Sequence, residues 1–220
     1  MNGNRNLKKE VSDNWEVGLA YLGDKLSYKV NVYYNDFRNR IFNQTLNKSG
    51  NLSLNRYNQS KAKYYGVEGR IDYALTPELR MGLFGDYVRG KLYDLPPTYR
   101  VDHVANSLEP VPQPDQDAPR VPPMRLGFRV NMEMTESLTS SLEYTYVYQQ
   151  KKVAPLENQT AAYSLLNIGV DYSRQIAGVN YQLFVQANNV LNRKIYSHTS
   201  FLPFVPQMGR NVTLGLNIHF

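Results

Sequence analysis

The sequence predicts an all-β protein, specifically an antiparallel transmembrane β-barrel or a large part of one. Three observations carry this. Apolar and polar residues alternate with period two in nine stretches, and no long segment shows a helical stripe. The connections between these stretches alternate between short and long, as where one rim of a membrane barrel carries tight turns and the other long loops. Tyrosine is abundant, 18 residues against one tryptophan, which suits an interface where the ring sits in the apolar zone and the hydroxyl reaches water.

The first stretch sets Trp15, Val17, Leu19 and Tyr21 against Asn14, Glu16, Gly18 and Ala20. The second has Leu26, Tyr28, Val30, Val32 and Tyr34 on one side, and the third has Tyr65, Val67, Ile71, Tyr73 and Leu75. The fourth is blurrier, with Met81, Leu83 and Tyr87 facing away from Arg80, Phe84 and Asp86. Leu126, Phe128, Val130 and Met132 form the apolar row of the fifth; Leu138, Leu142, Tyr144, Tyr146 and Tyr148 form that of the sixth. Leu166, Ile168, Val170 and Tyr172 mark the seventh, and Val179, Tyr181, Leu183 and Val185 the eighth. The ninth, NVTLGLNIHF, alternates without a break to Phe220. Short turns are expected at LGDK, TPE, TES and RQIAG, and long loops near residues 43–61, 92–123, 150–161 and 192–210. Strands of about ten residues match a tilted bilayer crossing.

Composition narrows the alternatives. No run approaches the ~20 apolar residues of a membrane helix, and the mean hydropathy is −0.52. A barrel leaves just such a weak average signal. The chain has no cysteine, so disulfides, thiolate metal sites and cysteine nucleophiles are absent. The net charge of +6 is spread along the chain rather than gathered, which argues against nucleic acid. There is no Gly-x-Ser-x-Gly elbow, P-loop, dinucleotide fingerprint or His-Glu-x-x-His helix, so catalysis is not expected. Nine is an odd strand count where bacterial single-chain barrels are normally even, and MNGNRNLKKE lacks the apolar core of a signal peptide. The expectation is the C-terminal part of a larger barrel, with both open edges pairing with strands outside it.

Several motifs resemble a known family. LKKEVSDNWEVGLAY (7–21) is similar to a strand opening of TonB-dependent outer-membrane receptors. Arg120, Pro122, Pro123, Arg125 and Gly127 resemble their Arg-x-Pro-Pro-x-Arg-x-Gly strand entry. AYSLLNIGVDY, NNVLNRKIYSH and NVTLGLNIHF resemble three further elements in the family's order, with Ala162 where glycine is more usual. The resemblance implies about the last nine strands of a 22-stranded barrel, without its N-terminal plug, in the bacterial outer membrane. It also implies TonB as a partner through that plug, lipid around the wall, and a terminal Phe220 read by the barrel-assembly machinery.

HTSFLPFVPQMGRNVTLGL (198–216) resembles the zinc-receptor branch, which implies uptake of a scarce metal ion or metal complex, zinc first and copper next, with siderophore and haem receptors as alternatives. A passive porin or adhesin barrel and a soluble β-sheet protein are the other readings. No resident cofactor is expected. Imidazole and carboxylate suit zinc, so the candidate metal residues are His103 with Asp102, Asp115 and Asp117 in the Pro-rich loop, and His198. A solvated acidic loop and ordinary loop packing are the plainer readings of the same residues. Glu68, Arg70, Asp72, Arg129 and Glu133 either line a path or pair between strands.

Overall fold

The computed structural model describes residues 5–50, 52–102 and 107–219. It is all strand and turn: β1 (Val11–Leu22), β2 (Leu26–Ser49), β3 (Leu52–Ala74), β4 (Leu79–Tyr93), β5 (Thr98–Asp102), β6 (Ser107–Val111), β7 (Gln116–Asp117), β8 (Arg125–Thr135), β9 (Leu138–Val147), β10 (Tyr163–Ile176), β11 (Val179–Asn188) and β12 (Asn211–His219). One antiparallel sheet runs β1-β2-β3-β4-β8-β9-β10-β11-β12, with β7 on the edge of β4, while β5 and β6 form a separate hairpin. β1 and β12 are its open ends, so the sheet is an incomplete barrel.

The register lines the alternation up across all nine neighbours. Trp15 lies opposite Tyr34 and Val17 opposite Val32; Tyr34 in turn faces Tyr65, and Val32 faces Val67. Ile71 meets Leu83, Leu83 meets Phe128, and Phe128 meets Tyr144. At the far end Val185 meets Leu214 and Leu183 meets Leu216. A one-residue slip anywhere would turn a strand's whole apolar row to the other face. Among the described residues nothing packs against the continuous apolar face: Val17 is 75% exposed and Leu214 69%. Tyrosines edge it at both ends, Tyr34, Tyr65 and Tyr87 near one rim and Tyr21, Tyr28 and Tyr73 near the other.

The opposite face is polar and cross-linked. Arg129 donates to Glu143 at 2.7 Å, Asn31 to Glu68 at 3.0 Å, and Arg125 to Asp86; Arg70 lies 3.3 Å from Asp72 on its own strand. Interstrand pairing therefore accounts for Arg129 and Glu68. Glycines on this face are covered from the next strand: the Phe84 ring lies where a Cβ of Gly127 would stand, and the Phe184 ring where that of Gly215 would. Such aromatic cover restores packing that a bare glycine strand lacks.

Short turns and long connections fall at opposite rims. RQIAG tightens to Ala177 and Gly178, both at positive φ, because the flanking Ile176 and Val179 pair. One expected loop is corrected. Residues 43–61 are almost wholly strand, since β2 continues to Ser49 and β3 begins at Leu52. Alternation hides this in two ways: the pairing slips between Phe37 and Arg40 and again between Thr45 and Asn47, and polar residues such as Asn43, Gln44, Asn58 and Gln59 occupy both faces. Residues 92–123 are likewise not wholly loop, because β4 runs to Tyr93 and β5, β6 and β7 follow.

The first slip has a structural consequence. Asn39 adopts φ 57, the extra residue of a bulge, and beyond it Arg40 and Phe42 turn to the concave face. Phe42 thereby joins Ala62, Leu92, Leu95, Ala118 and Val121 in a buried apolar cluster, which Phe37, Tyr64 and Val88 flank. The two ends of the long β4–β8 connection, at Leu95 and at Ala118 and Val121, are thus anchored inside the rim.

Candidate functional site

The long connections converge over the rim opposite the short turns. The Glu157 carboxylate ties them together. It accepts hydrogen bonds from the Arg120 backbone N–H at 2.9 Å and the Ala154 backbone N–H at 2.9 Å, and stands 3.5 Å from His198 Nε2. Arg120 and Leu156 hold positive φ, which turns the two backbones toward the carboxylate. Thr160 Oγ1 lies 3.3 Å from His198 Nδ1, and Thr160 is itself fixed by its bridge to Gln150. His198 is thus buried among three connections, its Nε2 without a hydrogen-bond partner among the described residues.

Burial pushes His198 below its ordinary value of 6.5; Glu157 pulls against that push and the Arg120 charge adds to it. The imidazole is therefore held neutral near pH 7. A neutral ring accepting from Thr160 leaves its Nε2–H directed at Glu157. The Arg120 guanidinium stacks 4.0 Å from the centroid of Phe201. From the far side, Lys48 at the β2–β3 tip donates to Asn158 Oδ1 at 2.7 Å and sits 5.8 Å from the Phe204 ring centroid.

These contacts roof a cavity of about 1160 Å³, open to one side and walled by Arg40, Phe42, Gln44, Arg120, Glu157 and His198 among others. Among the described residues its cations outnumber its one carboxylate, and aromatic, amide and aliphatic side chains line most of the rest. Such a wall suits a ligand that is anionic or rich in acceptors.

The candidate metal residues are not gathered here. His198 alone lines the cavity. Asp117 is taken by Arg89 at 2.5 Å, on the convex side of β4. Asp115 is exposed in the β6–β7 link, and Asp102 ends β5. His103 lies outside the described residues. Among the described residues no three His, Cys, Asp or Glu side chains come together as a metal site. Glu157, Thr160, Arg40 and Phe201 escape a reading from sequence because they fall in or beside irregular segments, where no period marks a face.

Solved structures share the fold across nearly the whole chain. A structure titled copper transporter OprC superposes with a TM-score of 0.75 at 19% identity, covering 96% of this chain and 32% of that one. A mutant ferric enterobactin receptor, PfeA, from Pseudomonas aeruginosa gives 0.62 at 18%, covering 96% and 31%. The ferric-catecholate import receptor Fiu of E. coli gives 0.64 at 15%, covering 99% and 29%. The chain thus spans about a third of the length of each. Residues 1–190 match the family model described as TonB dependent receptor-like, beta-barrel, and the chain belongs to that family.

Proposed function

We propose that this chain supplies the C-terminal barrel strands of an outer-membrane receptor that takes up a scarce metal ion or its complex, with zinc favoured. Energy would come from TonB through a plug outside these residues, lipid would surround the apolar wall, and Phe220, which lies outside the described residues, would serve the barrel-assembly machinery. The observation that carries the reading is the cavity at the long-loop rim. Its buried His198 holds Nε2 3.5 Å from the Glu157 carboxylate, an imidazole and a carboxylate of the kinds zinc binds, and zinc would take the place of the Nε2 proton. A zinc site takes about four ligands, so the cargo's own chelator or other parts of the receptor would complete the set.

A second reading has its own support. Arg40, Lys48 and Arg120 around the cavity favour an anionic chelate, as in siderophore or haem uptake, over a bare cation. Binding by the full-length receptor in detergent separates the two: zinc salt against copper, ferric siderophores and haem, with uptake measured in cells with and without TonB. Zinc binding with TonB-dependent uptake supports the first reading. A ferric chelate or haem bound in preference to zinc overturns it, and uptake independent of TonB points to a passive porin.

A further inference from the structure

The ladder between β4 and β8 stops short of the long-loop rim. It runs from Leu79 opposite Met132 to Asp86 opposite Arg125. On that side β4 next meets a strand at Lys91 and Leu92, in the two-residue β7, while on its other side it stays paired with β3 as far as Tyr93. The gap at residues 87–90 follows from sequence. β8 is preceded by Val121, Pro122, Pro123 and Met124, and the two prolines have no N–H to extend a ladder. Isolated bonds fasten the seam instead. The buried Gln150 amide donates to the Val121 carbonyl at 2.8 Å and to that of Pro122 at 3.3 Å. The Ala118 N–H donates to the Gly90 carbonyl at 3.0 Å.

A cavity lies on each side of this seam. The outward one is a cleft of about 220 Å³ between Tyr87, Met124 and Tyr148. By strand parity these side chains share the convex face of Leu83 and Leu126. The inward one is the cavity of about 1160 Å³ at the long-loop rim. Val88, Val121 and Pro122 line both, so apolar side chains rather than a hydrogen-bonded ladder part the two spaces there.

The two sides differ in chemistry. Below the cleft the convex wall continues as exposed Leu83, Leu126 and Phe128, the surface that meets lipid in the membrane reading. Of the cations bordering the cleft, Arg89 is bound to Asp117 and Lys152 donates to the Tyr87 hydroxyl at 3.3 Å, and their stems add apolar surface. On the inward side Arg40, Lys48 and Arg120 favour an anionic group. An alkyl chain suits a slot continuous with a lipid wall, because it stays out of water throughout. A hydrated group does not, because it would leave water without polar partners.

We propose that this seam is a side portal, and that the cargo is an amphipathic metal chelate whose anionic head sits in the cavity while its alkyl chain lies in the seam and runs out to the membrane. Opening requires Val121 and Pro122 to part from Val88, which breaks the two bonds of one glutamine and no ladder. This rests on the reading of the cavity as a chelate site, and adds the class of chelate and its route.

The test uses the full-length receptor in lipid nanodiscs, with empty nanodiscs as the blank. The probes are the zinc complexes of N-lauroyl- and N-acetyl-ethylenediaminetriacetate, which share an anionic head and differ in the tail. Burial of a few methylenes is expected to give the lauroyl chelate an affinity at least about tenfold above the acetyl one. The chain contains no cysteine, so Tyr87→Cys with Met124→Cys supplies one pair across the cleft for a short bismaleimide to bridge. Bridging is expected to remove the lauroyl advantage and leave the acetyl chelate as tightly bound as before. A diazirine on the lauroyl chain is expected to label Val88, Pro122, Met124 or Tyr148. Equal binding of the two chelates overturns the portal and leaves the cavity standing, whereas binding of neither overturns the chelate reading and the portal with it. An advantage that survives bridging overturns the portal. So does bridging that weakens both chelates alike, or label that misses these four residues and falls on the exposed Phe201 and Leu202 or elsewhere. Should the cysteine receptor fail to fold, the labelling of the unaltered protein decides alone.

Discussion

Glu157 joins three connections through one side chain. Two backbone donors from different connections and one imidazole converge on its carboxylate. Glu157→Gln keeps the shape but offers one acceptor oxygen, so one buried N–H loses its partner at a cost of about 1–3 kcal/mol. The expected outcome is faster amide exchange in residues 118–122 and 150–160, with the strands unchanged. His198 adds a pH dependence to the same knot. Its folded value is lowered by burial, so the closed arrangement binds fewer protons than the opened one, and its stability is full above about 6.5 and falls as the pH drops through that value. Protease nicking of the long connections should therefore rise between pH 7.5 and 5, and His198→Gln should flatten the profile. An unchanged profile in the variant would show that another group sets the response. Of this cluster, only His198 was legible from sequence, because an isolated histidine in a loop stands out by residue type. Glu157 carried no comparable signal, since its role depends on three chain segments meeting.

Among the elements, β2 shows why alternation is a strong but local guide. Up to Phe37 its period-two pattern places every residue on the correct face, with a clear apolar row from Leu26 to Tyr34. Past the bulge at Asn39 the parity reverses, and polar residues on both sides erase the pattern although the pairing with β3 continues to Ser49 and Leu52. Deleting Asn39 should close the bulge with Arg38 opposite Lys61 and keep Arg40 and Phe42 facing inward. Deleting Asn39 and Arg40 together should instead send Phe42 outward and empty the buried cluster around Leu92, so the folded, heat-modifiable fraction on a gel is expected to drop only in the double deletion, with protease cutting between residues 94 and 124. Gly127 offers a complementary test on the concave face. Valine there meets both the Phe84 ring and the Tyr144 carbonyl, so it should destabilise by about 1–3 kcal/mol, read as a lower denaturant midpoint. A simultaneous Phe84→Ala exchange should recover part of the loss.

For the whole molecule, the proposed membrane placement gives the two faces of the sheet different solvents, and mutation should expose that difference. Leu83→Arg, on the apolar convex wall, is expected to cost about 2–4 kcal/mol if the position lies near the bilayer midplane, measured as reduced assembly into the outer membrane. Arg70→Gln, on the concave wall, should assemble normally. Equal assembly of the two would contradict the membrane placement. The sheet order and its two open ends followed from sequence because each strand repeats a simple pattern and each short turn fixes its neighbour. The roof over the cavity did not, because it depends on contacts between segments separated by tens of residues, such as Lys48 with Asn158. That last contact has a practical side. The tip of the β2–β3 hairpin, at Gly50 with φ 57, arises at one end of the sheet yet touches connections that leave from the other. A dye attached at the tip and a second on the connection before β12 would be brought close by the same contacts that roof the cavity. Energy transfer between them would then report in real time whether cargo leaves the mouth shut or pries it open.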